Sequence, residues 1–261
     1  MRQDSLSKHF EAMGARIKFR TLDPQRRLLN GHRPSFTIDV GSDRRGPFFD
    51  FALTDRAPEF EILQAVPKER HLLLLTSRGG RFLCGHDERH WFVAELAEAV
   101  STVRAAKRAL MPISVREGTG AAKPSKVEKR RNSYFKRQGE WFFIPVDRNL
   151  DGETILRNEP LQRNAGSKPH VCEELVRIGG KTVYVVQGRA YSLGEYRARA
   201  GRDAGFRRHK PQVRVADPQM YARGRISHPD HATIVLEGWH RVLINRERPA
   251  VGMRSNVRFL D

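Results

Sequence analysis

Short apolar segments bounded by Gly, Pro or charged residues recur along the chain, and this pattern restricts it to a fold rich in β-structure. In the first part of the sequence these segments are Phe36–Val40, Phe48–Leu53, Phe60–Val66, His71–Ser77 and Arg81–Gly85. The last two are separated by Arg78-Gly79-Gly80, and glycine accepts the positive φ that a tight hairpin turn requires. We therefore predict a β-meander that contains one hairpin at these glycines.

Two segments have a helical spacing of apolar residues. The first comprises Leu6, Phe10, Met13 and Ile17, behind Asp4 and Ser5 as possible caps. The second runs from about Trp91 to Met111, where Pro112 ends it; its apolar face holds Phe92, Leu96, Val100, Val103 and Leu110. Together with the meander, these helices predict an N-terminal α+β domain over residues 1–112.

The segment 113–133 is rich in Gly, Lys and Arg and has no apolar periodicity, so we interpret it as a basic linker. Residues 134–261 then predict a mainly β domain, a curled sheet or small barrel, with a helical turn at Leu193–Arg199. Its expected strands are Trp141–Val146, Thr154–Arg157, Val171–Ile178, Thr182–Gln187, Met220–Ser227, Thr233–Glu237 and Arg241–Asn245. The predicted fold class is therefore α+β.

The net charge points to a polyanionic partner. The chain has 48 Lys and Arg against 30 Asp and Glu, a formal charge of +18. Residues 113–137 alone hold 8 basic and 2 acidic side chains. Because each cation that neutralises a phosphate releases condensed counterions, such a chain is expected to bind nucleic acid, RNA or DNA, through its backbone. An acidic protein or an anionic membrane surface is the alternative partner.

Two segments are the expected contact regions. The first is the basic end of the linker together with Tyr134-Phe135-Lys136-Arg137. Cations are interleaved with aromatic rings there, a composition that can hold phosphates and stack on unpaired bases. The second, Gly201–Lys210, reads as an exposed basic loop. The candidate nucleic-acid-binding residues are Lys129, Arg130, Arg131, Tyr134, Lys136, Arg137, Arg202, Arg207, Arg208 and Lys210. For Phe135, contact with nucleic acid and burial in the core both stay possible. Trp141, Phe142 and Phe143 are expected in a core strand.

Histidine and cysteine are clustered, and one interpretation of the clusters is a zinc site. Cys84 and His86 are two residues apart, as are His170 and Cys172, so in extended backbone each pair points to one face. One pair from each half of the chain would complete a Cys₂His₂ set that holds structural zinc. Zinc is the possible cofactor on this interpretation. Alternatively, Asp87 and Glu88 cap the helix that is expected to follow them.

The turn His228-Pro229-Asp230-His231 is the candidate catalytic site. Its proline fixes φ, so two imidazoles and a carboxylate are expected close together. That set serves general acid–base chemistry near neutral pH, or a metal-activated water. Cys172 beside Glu173 is a candidate nucleophile with a histidine partner. The alternatives are a tight surface turn and a cysteine buried only for packing.

Location and function follow only as hypotheses. The longest purely apolar run, Leu72–Leu75, is far shorter than a membrane helix needs, and the polar N-terminus shows no signal peptide. The 2 cysteines suit a reducing cytoplasm. Three functions stay open: a basic nucleic-acid-binding protein, a nucleic-acid-processing phosphodiesterase or nuclease, and a structural zinc-binding scaffold. The phosphodiesterase or nuclease would be centred on the His228 turn, with Cys84, His86, His170 or Cys172 assisting.

Overall fold

The computed structural model describes residues 3–23, 34–87, 90–120, 127, 129, 131–162, 168–247 and 259–260. The chain divides into two compact units: Met1–Phe142 with Ile244–Arg254, and Phe143–Leu243 with Ser255–Asp261. Both consist mainly of β-sheet with short helices, which confirms the α+β fold class. The finer domain limits drawn from the sequence (1–112, 113–133 and 134–261) stay a prediction.

Among the residues that the structure describes, the first unit contains two sheets, three helices and the short strand β8 (Lys136–Gln138). The helices are α1 Gln3–Ala12, α2 Val103–Ala109 and α3 Ile113–Gly118, with a 3₁₀ turn at Pro67–Glu69. The strands are β1 Ile17–Thr21, β2 Phe36–Asp43, β3 Gly46–Leu53, β4 Phe60–Val66, β5 His71–Thr76, β6 Arg81–Asp87, β7 His90–Glu95 and β8 Lys136–Gln138. The predicted strands and hairpin are confirmed: β5 pairs antiparallel with β6, and Gly79 in the turn has φ +84°.

The sheet β4-β5-β6-β7 lies at the centre of the first unit, because apolar side chains cover both of its faces. On β5, Leu72 and Leu74 pack with α1 and the sheet β1-β3-β2, whereas Leu73 packs with α2. Successive side chains of a strand point to opposite faces, so a continuous apolar run produces a strand buried on both sides.

The helix predicted from Trp91 to Met111 is wrong over its first half. Residues His90–Glu95 form β7, which pairs with β6, and the helix α2 covers only Val103–Ala109. Trp91 and Val93 pack on one face of the sheet and Phe92 and Ala94 on the other. A strand buried on both faces has no polar side, so its apolar residues also fit a helical spacing. The real helix start is set by Thr102, whose side chain accepts a hydrogen bond from the Ala105 amide.

The segment assigned to a linker begins with a helix rather than with irregular chain. Residues Ile113–Gly118 form α3, and Val115 is buried there. Pro112 stands at the N-cap of this helix. A helix of six residues is too short to show a repeating apolar pattern in the sequence. Residues 121–126, 128 and 130 lie outside the described part of the chain.

The second unit contains the remaining helices and two further sheets. The helices are α4 Leu193–Arg202 and α5 Ala204–Arg207. The strands are β9 Trp141–Pro145, β10 Ile155–Leu161, β11 His170–Ile178, β12 Lys181–Val186, β13 Arg189–Tyr191, β14 Gln212–Ala216, β15 Gln219–His228, β16 His231–Ile244 and β17 Phe259–Leu260. The two strands predicted over Thr233–Glu237 and Arg241–Asn245 are one strand, β16.

The described strands of the second unit form open sheets, so the predicted alternative of a small barrel is wrong for them. The larger sheet has the order β10-β11-β15-β16-β9, and the smaller has the order β13-β12-β14-β17. Leu150, Val176, Tyr221 and Trp239 form a buried cluster on the larger sheet. The neighbouring strands β11, β15 and β16 of this sheet carry His170, His228 and His231 at one end.

Candidate functional site

Three histidines converge at one end of the larger sheet. Strand β15 ends at His228 and β16 begins at His231, and these two residues face each other across the turn Pro229-Asp230. Strand β11 begins at His170 and runs antiparallel to β15, with Val171 opposite Ser227. Antiparallel pairing therefore brings the first residue of β11 beside the last residue of β15.

The imidazole rings form a compact stack. The ring centroids of His170 and His228 are 4.2 Å apart, and those of His228 and His231 are 4.6 Å apart. Each histidine offers one ring nitrogen such that the three atoms lie within 4.8 Å of one another. His170 is buried (2% exposed), while His228 and His231 are half-buried at the turn.

Hydrogen bonds fix the turn and the orientation of His228. The Asp230 amide donates to Nδ1 of His228 (3.1 Å), so the proton of the neutral ring is on Nε2. This Nε2 donates to the carbonyl oxygen of Lys168 (3.3 Å). The Lys168 ammonium in turn contacts both carboxylate oxygens of Asp230 at 2.8 Å. The turn is thus tied to the segment that precedes β11.

Burial, together with the neighbouring imidazoles of His228 and His231, lowers the pKa of His170 to about 3. His170 is therefore neutral at physiological pH and keeps a lone pair. A ring with this pKa is a poor proton donor or acceptor in catalysis near neutral pH, but it is well suited to bind a metal ion.

The structure brings together the predicted catalytic residues His228, Asp230 and His231 and adds His170, one of the four residues that the sequence offered as assisting the turn or as zinc ligands. The carboxylate of Asp230 is bound to Lys168, so its observed role is to hold the turn. The sequence left open which of these four residues joins the turn, because the register between β11 and β15 is not encoded in a local pattern. Pairing Val171–Ile178 with Met220–Ser227 would have revealed it.

The two cysteines among the predicted metal ligands occupy buried strand positions. Cys172 is fully buried on β11, opposite Ile226, and burial raises the pKa of its thiol to about 12. A thiol with this pKa is not a reactive nucleophile at neutral pH. In the first unit, Cys84 is fully buried on β6 and its pKa is also raised by burial. The Cys84, His86, His170 and Cys172 site draws its ligands from both units and stays a prediction.

The acidic residues beside His86 do not cap a helix at Trp91, because that residue lies in a strand. Asp87 lies opposite His90 in the antiparallel pairing of β6 with β7. The His86 ring packs edge-on against Trp91, with ring centroids 4.9 Å apart. Glu88 lies outside the described residues.

The predicted basic loop Gly201–Lys210 is exposed but largely helical, so its assignment as a loop is wrong. Its first residues belong to α4, and Ala204–Arg207 form α5. Both helices start with strong caps: Ser192 and Glu195 form a capping box, and the Asp203 carboxylate accepts from the Phe206 amide. Capping by short polar side chains explains helix formation in a segment with little apolar content.

The small sheet and its two helices carry a concentrated positive charge. Residues 181–216 contain nine basic and two acidic side chains, and both acids, Glu195 and Asp203, are engaged at helix N-termini. Helix α4 has no buried residue. Within the described part of the chain, no carboxylate forms an ion pair with the following exposed cations: Arg197, Arg202, Arg207, Arg208 and Lys210. We call these five residues the α4–α5 basic surface.

Aromatic rings support the α4–α5 basic surface. Tyr196 of α4 stacks on Tyr184 of β12 with centroids 5.2 Å apart and an interplanar angle of 15°. Phe206 of α5 packs edge-on against Tyr191, and the Arg199 guanidinium lies over both of these rings. The helices are therefore held to the sheet by stacking, which leaves their charged side chains directed to solvent.

Three cations of the first unit are arranged differently. Arg16 and Lys18 both bind the Asp43 carboxylate, and Arg20 binds Asp50. Hydrogen bonds from Arg16 and Lys18 hold the pKa of Asp43 well below its usual range. These cations are neutralised by carboxylates, so they add little to the attraction of an anionic ligand.

The other predicted contact segment is only partly suited to nucleic acid. Lys129, Arg131 and Tyr134 are exposed, and Lys136 is half-buried on β8. Arg137 lies over the Phe142 ring and donates to the Gly139 carbonyl. Phe135, left open by the sequence, is buried, as are Trp141, Phe142 and Phe143, which confirms their assignment to a core strand. Arg130 lies outside the described residues.

No protein-family profile matches the chain, and no curated protein or solved structure matches it either. None of the helices in the described ranges is both long and apolar enough to cross a lipid bilayer.

Proposed function

We propose that this protein binds the phosphate backbone of nucleic acid through the α4–α5 basic surface. The observation that carries the proposal is that five exposed cations lie on two short consecutive helices and the turn after them, and none is paired with a carboxylate of the described chain. Unpaired cations release phosphate counterions without first breaking an ion pair. Four of the five are arginines, whose planar guanidinium matches phosphate in a forked contact.

The support for nucleic acid over other anionic partners is the shape and composition of this surface. Helix α4 presents mainly Arg, Ala and Gly, with Leu193 as its exposed bulky aliphatic residue, so it lacks the broad apolar face with which an amphipathic helix enters a membrane interface. The exposed Lys129, Arg131 and Tyr134 supply further cations and one aromatic ring for a long polymer. RNA and DNA share the phosphate chemistry, so the proposal covers both. The cytoplasmic location expected from the two free cysteines stays a prediction.

The experiment that tests this proposal compares two variants with the same loss of charge. The triple variant Arg202→Gln, Arg207→Gln, Arg208→Gln removes cations of the α4–α5 basic surface. The control variant Lys18→Gln, Arg20→Gln, Lys107→Gln removes cations that are paired with carboxylates. We expect the first to bind a labelled oligonucleotide at least about tenfold more weakly than wild type, and the control to bind nearly as wild type. If both variants bound the oligonucleotide equally weakly, net charge alone would explain the loss of affinity, and the assignment of binding to the α4–α5 basic surface would be overturned.

A second candidate function is cleavage of nucleic acid at the His228 turn. It is favoured by one observation, the convergence of His170, His228 and His231 at the end of a sheet. The phosphodiesterase proposal requires that His231→Ala abolish cleavage while oligonucleotide binding and the circular dichroism spectrum stay unchanged. If wild-type protein cleaves neither RNA nor DNA with any divalent metal, this candidate is excluded.

A further inference from the structure

We infer that His170, His228 and His231 form a binding site for a transition-metal ion, with Zn²⁺ as the expected occupant. This site differs from the Cys₂His₂ set suggested by the sequence, because all three ligands come from the second unit and none is a cysteine. It also stands independently of the phosphate-binding proposal, since it uses none of the residues of the α4–α5 basic surface.

The distances are close to those of a metal site. One nitrogen from each ring lies within 4.8 Å of the other two. In a tetrahedral zinc site, Zn–N bonds of about 2.0–2.1 Å place the ligand nitrogens about 3.4 Å apart. Metal binding therefore requires the ring nitrogens to move together by up to about 1.4 Å.

The kind of ligand selects the kind of metal. The group contains only imidazoles, which bind Zn²⁺, Cu²⁺, Ni²⁺ and Fe²⁺, whereas Ca²⁺ and Mg²⁺ require oxygen ligands. The position of His170 favours binding because its ring is buried on a paired strand and is held beside the turn before an ion binds.

The surroundings of His228 have the form of an outer ligand shell. Its Nε2–H donates to the Lys168 carbonyl, and such a hydrogen bond orients a histidine whose other nitrogen binds the metal. That other nitrogen, Nδ1, now accepts from the Asp230 amide, so the metal would replace this N–H as the partner of the lone pair. The contact between Lys168 and Asp230 holds the turn while this exchange takes place.

Three protein ligands leave one position of a tetrahedral ion for water. Closed structural zinc sites have four protein ligands, whereas sites with three protein ligands and one water are typical of catalytic zinc. If the second candidate function holds, this site would supply the activated water for phosphodiester hydrolysis.

Metal titration of the full chain, expressed without a histidine tag and stripped with chelator, tests the inference. We expect one Zn²⁺ per chain, a rise of the melting temperature with Zn²⁺, and the intense visible absorption of four-coordinate Co²⁺ when cobalt replaces zinc. His231→Ala should weaken Zn²⁺ binding at least about tenfold and remove the cobalt absorption. The matched control is His209→Ala, an exposed histidine of the same unit that lies outside the cluster, and it should bind as wild type.

The variants separate a metal site from loss of folding. His231 is half-buried at a turn, so His231→Ala is expected to keep the wild-type circular dichroism spectrum. His228→Ala provides a second test at the other end of the turn. Absence of Zn²⁺ and Co²⁺ binding by wild type would overturn the inference, and so would binding that both variants leave unchanged. Loss of metal binding with retained oligonucleotide binding would support the metal site and leave the proposed function intact.

Discussion

The imidazole of His71 lies directly over Gly85 on the neighbouring strand, so close that a Cβ atom at position 85 would overlap the ring. The ring also packs edge-on against Phe92, with centroids 5.7 Å apart, and its Nδ1–H donates to the Glu69 carbonyl. The histidine is thus confined between β6, β7 and the turn before β5. Glycine at position 85 is required by this close approach.

Replacing Gly85 with alanine should destabilise the protein. The added methyl group meets His71 and Phe92, both of which are packed, so we expect a loss of about 1–3 kcal/mol in the free energy of unfolding. Urea unfolding measures it. The matched control is Gly118→Ala on α3, where a Cβ meets nothing, and it should gain up to about 1 kcal/mol. In the double variant Gly85→Ala, His71→Ala the two losses of stability should not add, because the methyl group no longer meets the imidazole ring. Full additivity would show that this ring is not the obstacle.

Stability should fall in mildly acidic solution because of His71. Burial, assisted by Lys107, lowers the pKa of this histidine from 6.5 to about 4, against opposing effects of Glu69. Between these two values the unfolded chain binds a proton that the folded chain does not, so the free energy of unfolding decreases as the pH falls from 6.5 towards 4. Below about pH 4 this contribution is fully lost.

The contribution of His71 is isolated with the variant His71→Gln. Urea unfolding at about pH 7 and about pH 4.5 should show a drop in stability that is smaller in the variant by roughly 2 kcal/mol. The ion pair between Glu69 and Lys107 is present in both proteins, and because it lowers the pKa of Glu69 below 4.5, its contribution to stability is lost mainly below that pH. An identical pH dependence in the two proteins would contradict the assignment to His71.

The true start of α2 can be tested at Thr102. Its hydroxyl oxygen accepts from the Ala105 amide at 3.1 Å, so Thr102→Ala should cost about 1 kcal/mol of stability. Ser101 is exposed and precedes the cap, so Ser101→Ala should have almost no effect. If the helix began near Trp91, both positions would lie in its interior and alanine would stabilise each of them.

Local patterns in the sequence were sufficient for most strands and for the hairpin at Gly79. Alternation of apolar residues and glycine turns are local signals, and β4 spans the predicted residues Phe60–Val66. The strand β7 was mistaken for helix because both of its faces are buried. Hydrophobic periodicity cannot distinguish such a strand from a helix, and only the pairing with β6 decides.

The candidate site was predictable only in part. The turn His228-Pro229-Asp230-His231 is contiguous in sequence, so the proximity of its two histidines followed from chain geometry. His170 joins them through strand pairing across a separation of more than fifty residues, which no local pattern encodes. The α4–α5 basic surface was predicted as charged and exposed, but its helices depend on the caps at Ser192 and Asp203.

The salt dependence of oligonucleotide affinity tests the proposed function most directly. We expect the logarithm of the wild-type association constant to fall linearly with the logarithm of salt concentration. In the variant Arg202→Gln, Arg207→Gln, Arg208→Gln the slope should be smaller by about 2 for a single strand, because three phosphate contacts are lost. An affinity that does not change with salt, or an unchanged slope in the variant, would contradict binding through this surface.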